Sequence, residues 1–399
     1  MARLLFLAHR LPYPPNKGDK VRSYHLLEHL AARHEVHLGT FIDDPEDEAH
    51  LPAVRARCAS VHASRIHPTR ARVRSLWGLA RQEPLTLAYY RDESLGRWVD
   101  ETTRRQPFDA SIVFSSAMAP YASALKMPML VDFVDVDSAK WAQYGTERVW
   151  PLSWLYRREG RMLLDYERRI ARLARASFFV TDKEVAFFET LAPDCAGLAS
   201  AIGNGVDAEY FAPDPARASP FDVSETPVVF TGAMDYWPNV DAVAWFTEAM
   251  LPGLRARWPA VRFHVVGRSP TAAVQALRSA GVNVTGTVPD VRPYLQHAAA
   301  VVAPLRLARG VQNKILEAMA MARPVVAATA CVDAIDATPG LELLACSDPA
   351  DYLADLNDLI ANPQRGRAIG GAARARVLHD YSWAARLRPL DQQLERLLA

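Results

Sequence analysis

Apolar residues recur along this chain with two different periods, and the switching between them predicts its elements. Short, largely apolar runs read as buried strands at Arg3 to Ala8, Val36 to Phe41, Val61 to Ile66, Ala110 to Phe114, Met129 to Phe133 and Ser177 to Thr181. Helical patterns separate them, the first carrying Tyr24, Leu26, Leu27, Leu30 and Ala31, the longest running from about Ser153 to Ala174. Such alternation implies a parallel sheet covered on both faces. The rhythm restarts with Val228 to Thr231, a helix from about Val240 to Trp258 and the strand Val261 to Val266. Asp348 to Leu378 reads as two helices and Trp383 to Leu398 as one. The expectation is an α/β chain with doubly wound domains at 1–207 and 223–380, a proline-rich linker at 208–222 and a final helix within 381–399.

Composition narrows the class without changing this picture. A chain of 399 residues suits two domains of ordinary size. A net charge of +1 recruits no nucleic acid. Cys58, Cys195, Cys331 and Cys346 form no CxxC pair and have no metal-like spacing with histidine, so reduced structural thiols in a cytoplasmic protein are expected, with no zinc site. The start, MARLLFLAHRLPYPP, is too short in apolar residues for a signal peptide core, and no run approaches the roughly 18 needed to span a bilayer.

The densest candidate chemistry lies in RGVQNKILEAMAMARPVV, residues 309–326. An apolar run closes at Pro304, Gly310 opens a turn, and Ile315, Leu316, Met319, Ala320 and Ala322 recur at helical spacing. No Ser, Thr or Asp caps this helix, so the backbone N–H groups near Val311, Gln312 and Asn313 are free for a phosphate, and Lys314 adds positive charge. Glu317, about one turn on, is placed to accept hydrogen bonds from two neighbouring sugar hydroxyls. Gly18 falls in the loop after the first strand, where a residue without Cβ allows a ligand close approach, or simply serves a turn; Asp19 and Arg22 stand beside it. Asp132, Asp135 and Asp137 crowd the end of the fifth strand, where Asp135 or Asp137 would hold an acceptor hydroxyl or stabilise positive charge at a sugar, unless Asp137-Ser138 merely caps the next helix. Two arginine tracts, 65–81 with Trp77 and 157–175 following Trp150 and Trp154, suit an anionic membrane surface or else are solvated helix faces, the second balanced by Glu159, Asp165 and Glu167.

The 309–326 stretch resembles the C-terminal signature of glycosyltransferase family 4, retaining enzymes of GT-B fold, with Glu317 on its second Glu. Arg309 stands where the first Glu would be, as in the subgroup reading Gly-x-x-Asn-Lys-x-Leu-Glu-Ala-Met. With VDFVDVDSAKW (131–141), FTGAMDYWPNVDAVAWF (230–246) and Asn-Gly-Val-Asp at 204–207, the chain resembles the sugar transferases of PEP-CTERM/exosortase exopolysaccharide loci. The resemblance implies two Rossmann-like domains facing a cleft, the last helix crossing back to the first domain, and Gly18 facing donor phosphate and acceptor. It also implies Gly232 near the donor diphosphate and Gly267, Arg268 and Val288 near the nucleobase. The usual Arg and Lys are missing from 231–239, where Asn239 reads as a cap or a ligand, and the usual His is missing near Asp135. Lys314, the helix-start amides and Arg309 must then meet the phosphate charge.

The implied activity is transfer of a sugar from a nucleotide-diphosphate donor to a glycan or lipid-linked acceptor with retention, without cofactor or metal, in a cytoplasmic protein resting on the inner membrane face. An epimerase of the same fold and an inactive donor-binding partner subunit are the rival readings.

Overall fold

Apolar runs become strands because a residue buried on both faces of a parallel sheet has no polar side to show. In the computed structural model, which describes residues 1–15, 18–306, 311–333 and 335–398, the first seven are β1 (Arg3–Ala8), β2 (Glu35–Ile42), β3 (Ser60–Arg65), β4 (Ala110–Phe114), β5 (Met129–Val134), β6 (Ala176–Phe179) and β7 (Ala199–Ala201). They pair in parallel in the order β3-β2-β1-β4-β5-β6-β7, with Leu4 opposite both Val36 and Ala110. A second parallel sheet repeats the plan with β8 (Thr226–Thr231), β9 (Val261–Val266), β10 (Val282–Gly286), β11 (Ala300–Ala303), β12 (Val325–Ala328) and β13 (Leu344–Cys346), ordered β10-β9-β8-β11-β12-β13. Each sheet reverses its strand order once, between β1 and β4 and between β8 and β11. A doubly wound sheet binds ligands outside the carboxyl ends of its strands at that reversal.

Residues 1–204 with 386–399 form one compact unit and 205–385 the other. Leu5, Leu7, Phe41, Val113 and Val131 are fully buried in the first core, and Val229, Phe263, Val302 and Val326 in the second. Each fully buried side chain of this size contributes about 1.5–3 kcal/mol.

Several expectations shift. The stretch 208–222 lies inside the second unit: Ala208 is in its core, and the Asp214 amide donates to Gln296 at 3.0 Å. The pattern over 240–258 is two helices, Trp237–Ala249 and Leu251–Arg257, because Pro252 cannot continue the first. Likewise Trp383–Arg386 and Arg388–Leu398 are separate, with Asp391 of the second held by His29 at 2.7 Å and Arg33 at 2.6 Å. Gly18 is the first residue of the helix Gly18–Ala31 rather than a loop residue. On the helix Leu152–Leu173, Glu159 and Glu167 are buried and balance no solvated face. Glu159 accepts from the Leu85 and Thr86 amides at 2.7 and 2.9 Å, and Glu167 from the Ser138 hydroxyl at 2.6 Å. Burial pushes the Glu167 carboxyl up to about 8. No helix among the described residues is long and apolar enough to cross a membrane.

Candidate functional site

In the second unit the strand reversal brings β8 and β11 side by side, and the backbone leaves β8 through Gly232 and β9 through Gly267. These turns touch: a Cβ on Gly267 would lie 1.7 Å from the Gly232 carbonyl oxygen. A Cβ on Gly232 would lie 2.7 Å from Asn239 Nδ2 and 3.1 Å from Lys314 Nζ. Only glycine fits at either position, and the bare backbone leaves room above it.

β11 leads to the helix Asn313–Ala320, whose cap residue Gln312 makes no side-chain cap hydrogen bond. No cap side chain therefore takes the first amides of that helix, although the Ile315 amide already donates to the Gln312 carbonyl at 2.9 Å. Lys314 Nζ donates to Asn239 Oδ1 at 2.5 Å and sits 4.2 Å from the Phe230 ring centre. Asn239 is buried, and its Nδ2 donates to the Ala233 carbonyl at 2.8 Å, so the amide is fixed from both ends. It caps nothing: the helix starting at Trp237 has Tyr236 at its cap position and Pro238 in its first turn. Its task is to hold Lys314.

Glu317 has no hydrogen-bond donor among the described residues. By exposed surface it and Lys314 are half-buried, yet the surrounding protein is dense enough to shift both. Burial pushes the Glu317 carboxyl up to about 7 against the pull of Lys314, and the Lys314 ammonium down to about 8 against Glu317. A carboxylate without a donor among the described residues, an ammonium and a helix start without a side-chain cap thus share one crevice. That set can hold a diphosphate and a vicinal diol together.

The other expected residues of this unit lie at its margins. Arg268 is exposed, and its carbonyl accepts from the Met234 amide at 2.8 Å, tying the β8 and β9 turns together. Val288 follows β10 and packs on the core. Arg309 and Gly310 lie outside the described residues. Tyr236, 60% exposed at the cap position of the helix after β8, and Trp237, 61% exposed at its first position, were not singled out by periodicity because neither contributes to a buried face.

The first unit's reversal holds a different set. His9 and Arg10 follow β1 directly, and the His9 ring stacks on Phe114 at the end of β4, with centroids 5.7 Å apart, and meets Tyr90 edge-on at 5.9 Å. His9 Nε2 lies 3.5 Å from Asp19, while Arg10 bridges Asp19 at 2.9 Å and Asp43 at 2.8 Å. Burial raises the Asp19 carboxyl, but His9 and Arg10 outweigh it and hold the group well below the usual carboxylate range. Arg22 is buried, donating to Asp132 at 2.7 Å and Asn204 at 3.0 Å.

The adjacent strand ends turn through Ser115, at φ 75°, and Val134, at φ 70°. A β-branched residue there costs on the order of 1–3 kcal/mol, and such strain gathers where a binding site over-determines the backbone. Asp132 supports the turn by accepting from the Val134 amide at 3.1 Å. Just beyond, Lys140 donates to Asp135 at 2.7 Å and Asp137 at 3.1 Å. Neither aspartate caps the helix Asp137–Glu147. Carboxylates from elsewhere take its first amides, Glu184 from Val136 at 2.9 Å and Glu167 from Ser138 at 3.2 Å. Sequence reasoning missed His9, Arg10 and Asp43; their position just past β1 and β2, at the carboxyl edge of a doubly wound sheet, was the signal available.

Residues 225–362 match the family model for Glycosyl transferases group 1. That span contains Gly232, Asn239, Gly267, Lys314 and Glu317. Over the whole chain, HepE of Anabaena, solved with UDP-glucose, is 15% identical, covers 99% of this chain and 100% of its own, and superposes with a TM-score of 0.63. Sucrose-phosphate synthase of Thermosynechococcus elongatus is 18% identical over 100% and 99% of the two chains, with a TM-score of 0.65. WaaG, a glycosyltransferase involved in lipopolysaccharide biosynthesis, is 16% identical over 98% and 99%, with a TM-score of 0.59. No curated protein matches the sequence. The fold is thus two Rossmann-like parallel-sheet units whose structural neighbours are glycosyltransferases of GT-B fold.

Proposed function

We propose that the chain is a retaining glycosyltransferase of family 4 type, moving a sugar from a nucleotide diphosphate to a glycan or lipid-linked acceptor in exopolysaccharide synthesis. The observation that carries the reading is the Glu317 carboxylate, without a donor among the described residues, one turn from Lys314 at a helix start with no side-chain cap above two glycine turns. Glu317 accepts from the two ribose hydroxyls. Lys314 and the amides at 311–313 meet the diphosphate, Gly232 and Gly267 admit it closely, and the base lies toward Arg268 and Val288. HepE in complex with UDP-glucose or with UDP supports a nucleotide-sugar partner.

In the reaction the bond from the anomeric carbon to the diphosphate oxygen breaks while a bond to the acceptor oxygen forms on the same face. The departing diphosphate takes the acceptor's proton. Asp135 and Asp137, oriented by Lys140, hold the acceptor hydroxyl, and Arg309 supplements the charge on the leaving group. The reading calls for no divalent metal or cofactor. It also places the protein peripherally on an anionic inner-membrane face through the 65–81 tract, where Arg70, Arg72 and Arg74 are exposed and Trp77 is 71% exposed.

The test is a panel of sugar nucleotides incubated with the purified chain, with and without lipid extract. Nucleotide release that requires acceptor supports transfer. Acceptor-free isomerisation would make the chain an epimerase, and binding without turnover would make it a partner subunit.

A further inference from the structure

An apolar groove of about 800 Å³ opens on the first unit between the helices Asp137–Glu147, Leu152–Leu173 and Asp182–Leu191. Its walls include Ala142, Trp150, Trp154, Leu164, Phe187 and Leu191. The floor is rigid because the first two helices approach through glycine: a Cβ on Gly160 would lie 2.9 Å from the Ser138 carbonyl oxygen. Trp150 is 79% and Trp154 51% exposed, an arrangement that nothing inside the unit accounts for.

Charge around the groove is one-sided. Arg157 and Arg161 line it, and no carboxylate does. Arg157 donates to the Gly145 carbonyl at 3.2 Å, and Arg161 has no partner among the described residues. Further along the same helix Arg168 and Arg172 are neutralised by Asp194 at 2.9 and 3.0 Å. Neither arginine lining the groove meets a carboxylate among the described residues, which is also true of Arg158 and Arg169 on other faces of the helix. The groove also has direction. Ser138, at one end, adjoins Asp137 and the carboxyl edge of β5, while Trp150 marks the other end, along a helix about 16 Å long.

We propose that this groove seats the apolar chain of a lipid-linked acceptor, an isoprenoid or acyl chain ending in a phosphate. Trp150, Trp154 and Phe187 lie on the chain, and Arg157 and Arg161 meet the phosphate, which fixes the attached acceptor group toward Asp135 and Asp137. The inference rests on the transferase reading and deepens it by naming what holds the acceptor. A bulk membrane surface needs no such groove, and free phosphate needs no apolar wall.

The experiment is calorimetric titration of the full chain with a C10 prenyl phosphate kept below its micelle concentration, beside the matching prenyl alcohol, inorganic phosphate and anionic vesicles. One-site binding of the prenyl phosphate is expected, weaker binding of the alcohol, and none of inorganic phosphate. Ala142→Trp, which fills the groove, should weaken binding tenfold or more. Arg161→Glu should weaken the prenyl phosphate tenfold while leaving the alcohol unchanged. An unchanged circular-dichroism spectrum and melting transition report that the first unit is folded in both variants, and unchanged UDP affinity reports the same of the second. Binding to vesicles alone, equal binding by Ala142→Trp, or a chain dimer that Ala142→Trp dissociates without any prenyl phosphate binding would overturn the proposal. Failure here with donor turnover on a water-soluble glycan intact sinks the groove and leaves the transferase. Absence of nucleotide-sugar binding or turnover sinks the transferase itself.

Discussion

The two strand reversals of this chain are built alike and charged differently. At the first, Asp19 is matched by His9 and Arg10, Asp43 by Arg10, and Asp132 by Arg22. At the second, Glu317 has no donor among the described residues, and Lys314 meets there only a neutral amide and the Phe230 ring. Burying charges without partners costs several kcal/mol, and the raised carboxyl and lowered ammonium register that cost. A crevice kept in this state gains most from a ligand carrying hydroxyl donors and a negative charge. The first crevice, with its carboxylates already paired, is suited to fixing geometry, although His9 Nδ1 and one Arg22 guanidinium nitrogen are buried without a hydrogen-bond partner among the described residues. This division is what one would ask of a donor site and an acceptor site, and each half can be perturbed separately.

The largest effect should come from Glu317→Ala. Hydrogen bonds to a charged group contribute about 1.5–3 kcal/mol each, so losing two should reduce nucleotide-sugar affinity and turnover roughly a hundredfold or more with thermal stability preserved. Unchanged affinity in calorimetry would put the donor elsewhere. Next is Gly267→Ala. The Gly232 carbonyl must move to admit the new methyl, which should cost about 1–3 kcal/mol of stability and displace the turn beneath the phosphate, both read from a melt with and without UDP. No change in the UDP-induced shift would show that the glycine turns do not carry the diphosphate.

A third test uses protons. Glu317 must be ionised to accept two hydroxyl protons, and its carboxyl titrates near 7; Lys314 must be protonated to meet phosphate, and it titrates near 8. Affinity should rise as pH increases through about 7 and fall again above about 8, losing about tenfold per unit on each limb, with the two midpoints belonging to the coupled pair. Glu317→Gln should flatten the acidic limb and keep the alkaline one. A flat wild-type profile from pH 5.5 to 9.5 would remove the pair from the site.

How much of this was readable beforehand follows from how each feature is assembled. Strands such as β1, β4 and β9 were legible because burial on both faces writes itself into consecutive positions. Lys314 and Glu317 were legible because one helix start carries both. The role of Asn239 was hidden because its partner is 75 positions away. The His9, Arg10 and Asp43 cluster was hidden for the same reason, being gathered from separate strand ends. Glu159 and Glu167 misled differently: at helical spacing among arginines they look solvated, and only the packing of 85–86 and 137–147 on that helix shows that they face inward. β7 was missed because Ala-Ser-Ala has neither apolar weight nor length.

The smallest expected effect concerns the acceptor side and separates geometry from stability. Lys140 is 47% exposed at its side chain, and Asp135 and Asp137 are each 35% exposed, so the solvent screens both ion pairs. Lys140→Ala should therefore change the melting free energy by no more than about 1 kcal/mol. If Lys140 orients the two aspartates toward the acceptor, the same substitution should raise the acceptor KM several-fold and leave the donor KM alone, because the donor groups belong to the other unit. Asp135→Asn should follow the same pattern with a larger drop in kcat, since it alters the group that holds the hydroxyl. A Lys140→Ala enzyme with unchanged kinetics for both substrates would reduce the aspartate pair to surface charge and leave His9, on its aromatic shelf beside Asp19, as the residue of the first crevice to examine.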